Sequence, residues 1–139
     1  MIPLLLVQLG TTVVSAFFVS FRDAARIGMA VLFVFTGVSH FSRLKADMAA
    51  MIPPPLTGAL WVISVTGVFE LAGAVGLLLP AVRRLAAWCL MALLVAMFPA
   101  NVYAALRNTT LGGRAATPLL VRTPLQIFWI AALWWSAAR

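Results

Sequence analysis

Acidic residues are scarce in this sequence. Only three of its 139 residues are Asp or Glu, against ten Lys or Arg, and the formal net charge is +7. Charged residues make up 9% of the chain and hydrophobic residues 64%, whereas a soluble domain is about 25% charged and roughly 45–50% apolar. This composition excludes an ordinary soluble domain and predicts an integral membrane protein.

Cysteine and histidine are rarer still, with one residue of each. The single cysteine, Cys89, excludes an internal disulfide, a CxxC redox pair and a cysteine metal site, and its apolar segment predicts that it is buried. His40 has no second His or Cys with which to share a metal ion, so we predict no metal site. The chain also lacks a haem or flavin motif, so we assign no catalytic residue and expect neither an intrinsic cofactor nor enzymatic activity of the chain alone.

The basic residues lie at the ends of apolar segments rather than in a cluster with exposed aromatic residues. That placement is typical of side chains that anchor helices at lipid headgroups. We therefore expect membrane lipids as partners and no binding of nucleic acid.

Five apolar segments follow one another, each close to the roughly 20 residues that cross a bilayer. No Lys or Arg precedes Arg22, so the first segment is predicted to be a retained helix and not a signal peptide. An amphipathic stretch that ends at Pro53-Pro54-Pro55 is predicted to lie in the membrane interface. The predicted fold is an all-α membrane helical bundle forming one unit over 1–139, with spanning helices at about 2–21, 24–41, 58–79, 85–106 and 118–138 and an interfacial helix at about 43–52.

Five crossings place the connections alternately on two sides of the membrane, which we call the arginine end and the loop end. The arginine end carries Arg22, Arg26, Arg83, Arg84 and Arg139. The loop end carries the connections 42–57 and 107–117, with Arg43, Lys45, Arg107, Arg114 and Arg122. These equal numbers leave the positive-inside rule undecided, but the first segment has basic residues only after it, which favours a cytoplasmic arginine end and an N-terminus on the other side.

Glu70 stands near the middle of the third segment, where a charged residue costs about 2.5–3.5 kcal/mol on insertion. Helical spacing puts it on one face with Gly67 and Gly73, and such a small, polar face suits contact with another helix rather than with lipid. Depth in the membrane can be estimated from the rise of about 1.5 Å per helical residue. By this estimate, each of the five segments has a hydrogen-bonding side chain in the half of the bundle toward the loop end. The predicted polar pocket contains His40, Glu70, Asn101, Gln126, Thr36, Ser64 and Thr66, with Gln8 at a similar depth.

This polar half is either a pocket that opens toward the loop end or a hydrogen-bonded network that holds the helices together. For Gln8, Thr36, Ser64 and Gln126, bonding between helices is the expected role. Glu70 is the exception, because carboxyl groups inside a membrane are usually functional. We therefore expect Glu70 to have a functional or proton-linked role.

Two other residues of the pocket have competing interpretations. Asn101 either lines the site or serves the Val95 carbonyl group, which Pro99 leaves without a helical donor. His40 lies at a helix end, where we expect an anchor at the interface or a cation favoured by the helix dipole.

Several stretches resemble the DoxX-like family of small bacterial membrane proteins, in register over about 24–135. The stretches are GVSHF at 37–41, the prolines at 53–55, TGVFELAGAVGLLLP at 66–80, FPANVYAA at 98–105 and RTPLQ at 122–126. The resemblance implies a four-helix transmembrane core made by the second to fifth segments, with one helix added before it, in the bacterial inner membrane. By residue type, His40, Glu70 and Asn101 occupy the recurrent polar positions of that family.

The same resemblance implies an accessory role in a quinone-linked redox or oxidative-stress membrane complex, with a bound quinone or lipid and a membrane redox protein as partner. Two other functions stay open: a proton- or cation-coupled transporter or channel that uses Glu70, as a homo-oligomer, and a structural or chaperone-like membrane partner. A quinone site predicts a lipid-like ligand near Glu70 and Asn101. A transporter predicts access from two sides, and a structural partner predicts a dry, fully paired interior.

The predicted orientation can be tested by labelling in a Cys89→Ser background, with single cysteines placed at Ala46 or Ala81. These positions lie on opposite sides of the membrane in the predicted topology. A membrane-impermeant thiol reagent applied to intact cells should label position 46 and leave position 81 unlabelled. Equal labelling, or labelling of position 81 alone, would contradict the orientation.

Overall fold

The protein is mostly helical in the computed structural model, which describes residues 2–16, 20–115 and 117–139. Each predicted apolar segment overlaps one helix, and a short helix lies in the predicted interfacial stretch. Part of the predicted end of the first segment, 17–19, lies outside the described residues. In order, the elements are α1 (Ile2–Ala16), α2 (Phe21–Ser39), α3 (Lys45–Ala50), α4 (Leu60–Leu78), α5 (Arg83–Leu106), β1 (Thr110–Leu111), β2 (Arg114–Ala115), α6 (Leu119–Leu133) and a π-helix (Trp134–Ala138) that continues α6. Two helices begin before their predicted starts at 24 and 85: α2 begins at Phe21, which we predicted to end the first segment, and α5 begins at Arg83.

Local sequence signals set the helix ends. The Ser20 hydroxyl oxygen accepts a hydrogen bond from the backbone N–H of Asp23, and its O–H donates to the Asp23 carboxylate over 2.8 Å. A serine in this position satisfies one of the N–H groups that the first turn of a helix leaves free. α3 ends at Ala50, shortly before three prolines that cannot continue a helix.

The connection 107–117 contains a small hairpin where the sequence predicts only a loop. β1 and β2 pair antiparallel with Leu111 opposite Arg114. Gly112 and Gly113 have φ angles of 59° and 76°, the left-handed conformation that a two-residue hairpin turn requires. The N–H of Gly112 donates to the carboxylate of Asp47 on α3 over 2.8 Å. This bond joins the two connections of the loop end.

The long helices pack in chain order, each against the next, and α2 also contacts α6. At one end of the molecule, Nη2 of Arg22 donates to the backbone carbonyl of Arg139 over 2.9 Å. Nε of Arg84 donates to the carbonyl of Ala138 over 3.0 Å. The structure therefore brings the beginnings of α2 and α5 and the π-helix together, as we expected for the arginine end.

The largest apolar core lies in the half of the molecule toward the arginine end. It is built from α2, the end of α4, the first half of α5 and the end of α6. Its most deeply buried side chains are Met29, Leu32, Leu77, Leu90 and Leu133. The buried polar side chains toward the loop end are His40, Glu70, Arg122 and Gln126. Buried polar side chains also occur elsewhere, namely Gln8 and Thr12 on α1 and Arg26 and Ser136 at the arginine end.

Large apolar side chains cover the outward faces of the helices. Among the described residues, α4 and α5 are long and apolar enough to cross a membrane. α1 and α6 have 15 residues each, and α2 carries three charged residues near its beginning. Cys89 lies on the outward face of α5 and is exposed. The prediction that it is buried is wrong, because α5 packs through Ala86, Ala87 and Leu90 on its other face.

α2 and α4 cross closely at two glycines. A Cβ atom at Gly67 would lie 2.7 Å from the Cβ of His40, and one at Gly37 would lie 2.9 Å from Cγ of Leu71. Both distances are shorter than real Cβ contacts, so a side chain at either position would push the helices apart. The crossing therefore holds His40 directly against α4.

We expect Gly67→Ala to destabilise the fold by about 1–3 kcal/mol, because the new methyl group would force α2 away from α4. Gly10→Ala is the matched control, since a Cβ atom there meets nothing within 4 Å. It should be neutral or slightly stabilising, because Ala favours a helix more than Gly does. Thermal unfolding in detergent measures both variants, and a Gly67 variant as stable as the parent would show that the crossing is not tight.

Candidate functional site

A buried acid and a buried imidazole meet where α2 crosses α4. Nδ1 of His40 lies 3.6 Å from Oε2 of Glu70, and the two residues are only 5% and 3% exposed. We placed His40 in the polar pocket and expected it to be an anchor at the interface or a cation favoured by the helix dipole; its burial contradicts the anchor. The close crossing of the helices turns its ring inward, toward the carboxyl group of α4.

Thr36 fixes the imidazole of His40. The backbone carbonyl oxygen of Thr36 lies 2.8 Å from Nδ1 of the ring, one helical turn away. A carbonyl oxygen can only accept, so Nδ1 carries a proton and donates it, which makes Nε2 the unprotonated nitrogen of a neutral ring. The Thr36 hydroxyl group donates within α2, to the carbonyl of Leu32 over 3.2 Å. Thr36 therefore orients the base of the pair through its backbone.

The carboxyl group of Glu70 has an oxygen without a hydrogen-bond partner. Oε2 is buried and accepts no hydrogen bond from the described residues, because 3.6 Å from Nδ1 of His40 is beyond hydrogen-bond distance. The pair can exist as a neutral imidazole beside a neutral carboxyl group, or as an imidazolium beside a carboxylate. Burial penalises the charged form, while the attraction between the two charges favours it. Because Nδ1 already carries a proton in the neutral ring, the imidazolium forms by protonation of Nε2.

A second polar cluster joins α5 to α6. Nη1 of Arg122 donates to Oδ1 of Asn101, and Nε2 of Gln126 donates to the carbonyl of Leu94 over 2.9 Å. Arg122 is 6% exposed and Gln126 is 8% exposed. We counted Arg122 among the basic residues of the loop end and not among the site residues. The structure buries it in the first turn of α6, and its i, i+4 spacing from Gln126 was the signal that could have shown this.

The bonds of this cluster test the role that we considered for Asn101 beside Pro99. We considered that Asn101 serves the carbonyl group of Val95, but its Oδ1 accepts from Arg122, and no hydrogen bond from Asn101 to Val95 occurs among the described residues. Gln126 of the neighbouring helix donates instead to Leu94, in the turn before the proline. The carbonyl group that Pro99 leaves without a helical donor, that of Val95, is therefore not the one that Gln126 serves.

Other predicted polar side chains bond within their own helix or lack a partner. The Ser64 hydroxyl group donates to the Leu60 carbonyl over 3.2 Å, and that of Thr66 to Val62 over 3.0 Å. The predicted bonding of Ser64 between helices is therefore wrong, since its described hydrogen bond stays within α4. Gln8 of α1 is buried, and its Oε1 accepts no hydrogen bond from the part of the chain that the structure describes.

The predicted polar pocket is thus divided into two clusters. Glu70 lies with His40 at the crossing of α2 and α4, whereas Asn101 and Gln126 lie between α5 and α6. Within the described ranges, no hydrogen bond joins Glu70 to Asn101 or Gln126. The same residues contain no group of three His, Cys, Asp or Glu that could hold a metal ion.

Both clusters fall within the region that matches a known family. A family model described as a domain of unknown function (DUF8561) matches residues 29–137, from α2 to the π-helix. No curated protein and no solved structure matches the chain. These comparisons leave the resemblance to DoxX-like proteins untested, so what it implies stays a prediction. The chain belongs to the DUF8561 family.

Proposed function

We propose that this chain is a multi-pass membrane protein in which His40 and Glu70 bind a proton and pass it across the membrane. The observation that carries the proposal is the enclosed pair, with 3.6 Å between Nδ1 and Oε2. The pair combines an acid with a base and leaves a buried carboxyl oxygen unsatisfied by the described residues. Ionisable residues buried in spanning helices are typical of proton relays in pumps and transporters.

The apolar outer surface of the helices supports the proposal that the bundle lies in a membrane. α4 and α5 have the length and composition of spanning helices. A helix of this kind in the core of a soluble protein is mostly buried, whereas only 39% of the apolar stretch of α4 and 28% of that of α5 is buried. Leu120 is 89% exposed and Phe69 is 59% exposed, and soluble monomers rarely expose extensive apolar surface. These faces support insertion of the bundle in a bilayer, for which we propose the bacterial inner membrane.

The depth of the pair supports proton translocation rather than anchoring. Glu70 lies near the middle of the 19-residue α4. At about 1.5 Å per residue, the helix continues for more than two turns on both sides of Glu70. His40 caps the end of α2 toward the loop end. The pair therefore connects a mid-helix carboxyl group with a base that lies nearer one surface, an arrangement suited to receiving a proton from that side.

The other predicted functions have less support. Two apolar grooves lie on the outer surface, and neither is lined by His40, Glu70, Asn101 or Gln126. A quinone site beside Glu70 therefore has no observation of its own, and the accessory role in a quinone-linked complex stays a prediction from the resemblance. A purely structural partner predicts a fully paired interior. The buried Oε2 of Glu70, which has no hydrogen-bond partner in the described part of the chain, does not fit this prediction.

We expect Glu70→Gln to abolish proton flux, because Gln keeps the size and hydrogen-bonding capacity of Glu but cannot exchange a proton. The parent and the variant are reconstituted in liposomes that enclose a pH-sensitive dye, and a membrane potential is imposed. The internal pH should change in liposomes with the parent. With the variant it should change no faster than in liposomes without protein.

Asp47→Asn is the matched control for this experiment. It also converts an acid to its amide, but at the loop end, where the Asn oxygen can still accept the hydrogen bond from the N–H of Gly112. Its flux should equal that of the parent, and thermal unfolding checks that each variant is folded. Undiminished flux in Glu70→Gln, or no flux in the parent above protein-free liposomes, would contradict the proposed function.

A further inference from the structure

Arg122 is a buried cation without an anion. It is 6% exposed, and its described side-chain hydrogen bond runs from Nη1 to the neutral amide oxygen of Asn101. Its Nε is buried and has no partner among the described residues. A guanidinium group keeps its charge in proteins, and a buried charge is strongly unfavourable unless it is paired. The site therefore lacks a negative group.

The acidic residues of the chain cannot supply that group, because all three are engaged elsewhere. The contacts are Asp23 with Arg26, Asp47 with the N–H of Gly112, and Glu70 with His40. Within the described ranges, no carboxylate forms an ion pair with Arg122. The counter-ion of Arg122 must therefore come from outside the chain.

The position of Arg122 in its helix adds to this requirement. It is in the first turn of α6, which begins at Leu119. The positive end of the helix dipole disfavours a cation there and favours an anion. The first N–H groups of a helix also have no acceptor within it. Pro118, one turn before Arg122 on the same face, is exposed, so a ligand can approach this face of the turn from the surface of the bundle.

We infer that Arg122, held by Asn101 at the beginning of α6, binds an oxyanion, either a carboxylate or a phosphate group. The planar guanidinium group matches both groups in two-point hydrogen bonding. Two sources provide this chemistry: the headgroup phosphate of an anionic lipid, and a free carboxylate or phosphate ion in solution. The site is separate from the His40–Glu70 pair and does not depend on proton translocation.

The parent protein is measured first. Full-length protein in phosphatidylcholine nanodiscs is compared with protein in nanodiscs that also contain phosphatidylglycerol. Protein in detergent is titrated with sodium phosphate or sodium acetate against sodium chloride at equal ionic strength. We expect a saturable rise in the unfolding temperature. A rise with phosphatidylglycerol alone assigns the site to a lipid, and a rise with phosphate or acetate assigns it to a free oxyanion. A response to none of these would overturn the inference.

Arg122→Gln removes the charge while keeping a donor for Asn101. Losing a charge-assisted hydrogen bond should weaken the apparent affinity for the effective anion by roughly tenfold or more. Arg114→Gln is the matched control, because Arg114 is exposed at the same end and the change in net charge is equal. It should leave the affinity unchanged. Equal losses in both variants would indicate a diffuse effect of net charge and would overturn the inference.

Asn101→Asp tests the site while keeping the arginine. A carboxylate of nearly the same shape would give Arg122 a counter-ion within the chain. The unfolding temperature without added anion should be at least that of the parent, and the response to the anion should disappear. A folded Asn101→Asp variant that keeps the response of the parent would overturn the inference, even if Arg122→Gln does not fold.

Discussion

The close crossing of α2 and α4 is the constraint on which the candidate site depends. Because Gly37 and Gly67 have no side chains, the two backbones approach until His40 lies 3.6 Å from the carboxyl group of Glu70. The same turn of α2 supplies the Thr36 carbonyl that holds the imidazole. An acid in the middle of an apolar helix is thereby matched with a base from its neighbour. Contacts through small residues are the common way in which helices with apolar outer faces approach each other.

The shortage of acidic residues shapes the rest of the molecule. With ten basic and three acidic residues, most cations need acceptors other than carboxylates. At the arginine end, Arg22 and Arg84 donate to backbone carbonyls at the end of the π-helix, which also satisfies groups that a helix end leaves free. Arg122 is buried, and its described side-chain hydrogen bond runs to the amide oxygen of Asn101. At Arg122, the excess of basic over acidic residues leaves a buried cation without a carboxylate partner among the described residues.

Helix positions could be predicted from the sequence more completely than contacts between helices. Apolar length alone located α4 (Leu60–Leu78) within the predicted range 58–79, and Glu70 stood out as an acid within that run. His40 was not recognised as its partner, since spacing along the chain does not give the depth at which two helices cross. The burial of Arg122 was missed because an arginine at the edge of an apolar segment has the same sequence signal whether it faces lipid headgroups or a neighbouring helix. Cys89 was placed inside for a related reason: the composition of its segment does not reveal which face points outward.

The pairing of His40 with Glu70 can be tested most directly by NMR, because the chain has one histidine. Histidine labelled with the NMR-active nitrogen isotope then gives the ring nitrogen signals of His40 alone in the purified protein. We expect the neutral ring to be protonated at Nδ1, as the bond to the Thr36 carbonyl requires, and we expect its titration to change when Glu70 is replaced by Gln. A neutral ring protonated at Nε2, or a titration of His40 that is identical in the parent and in Glu70→Gln, would contradict the pairing.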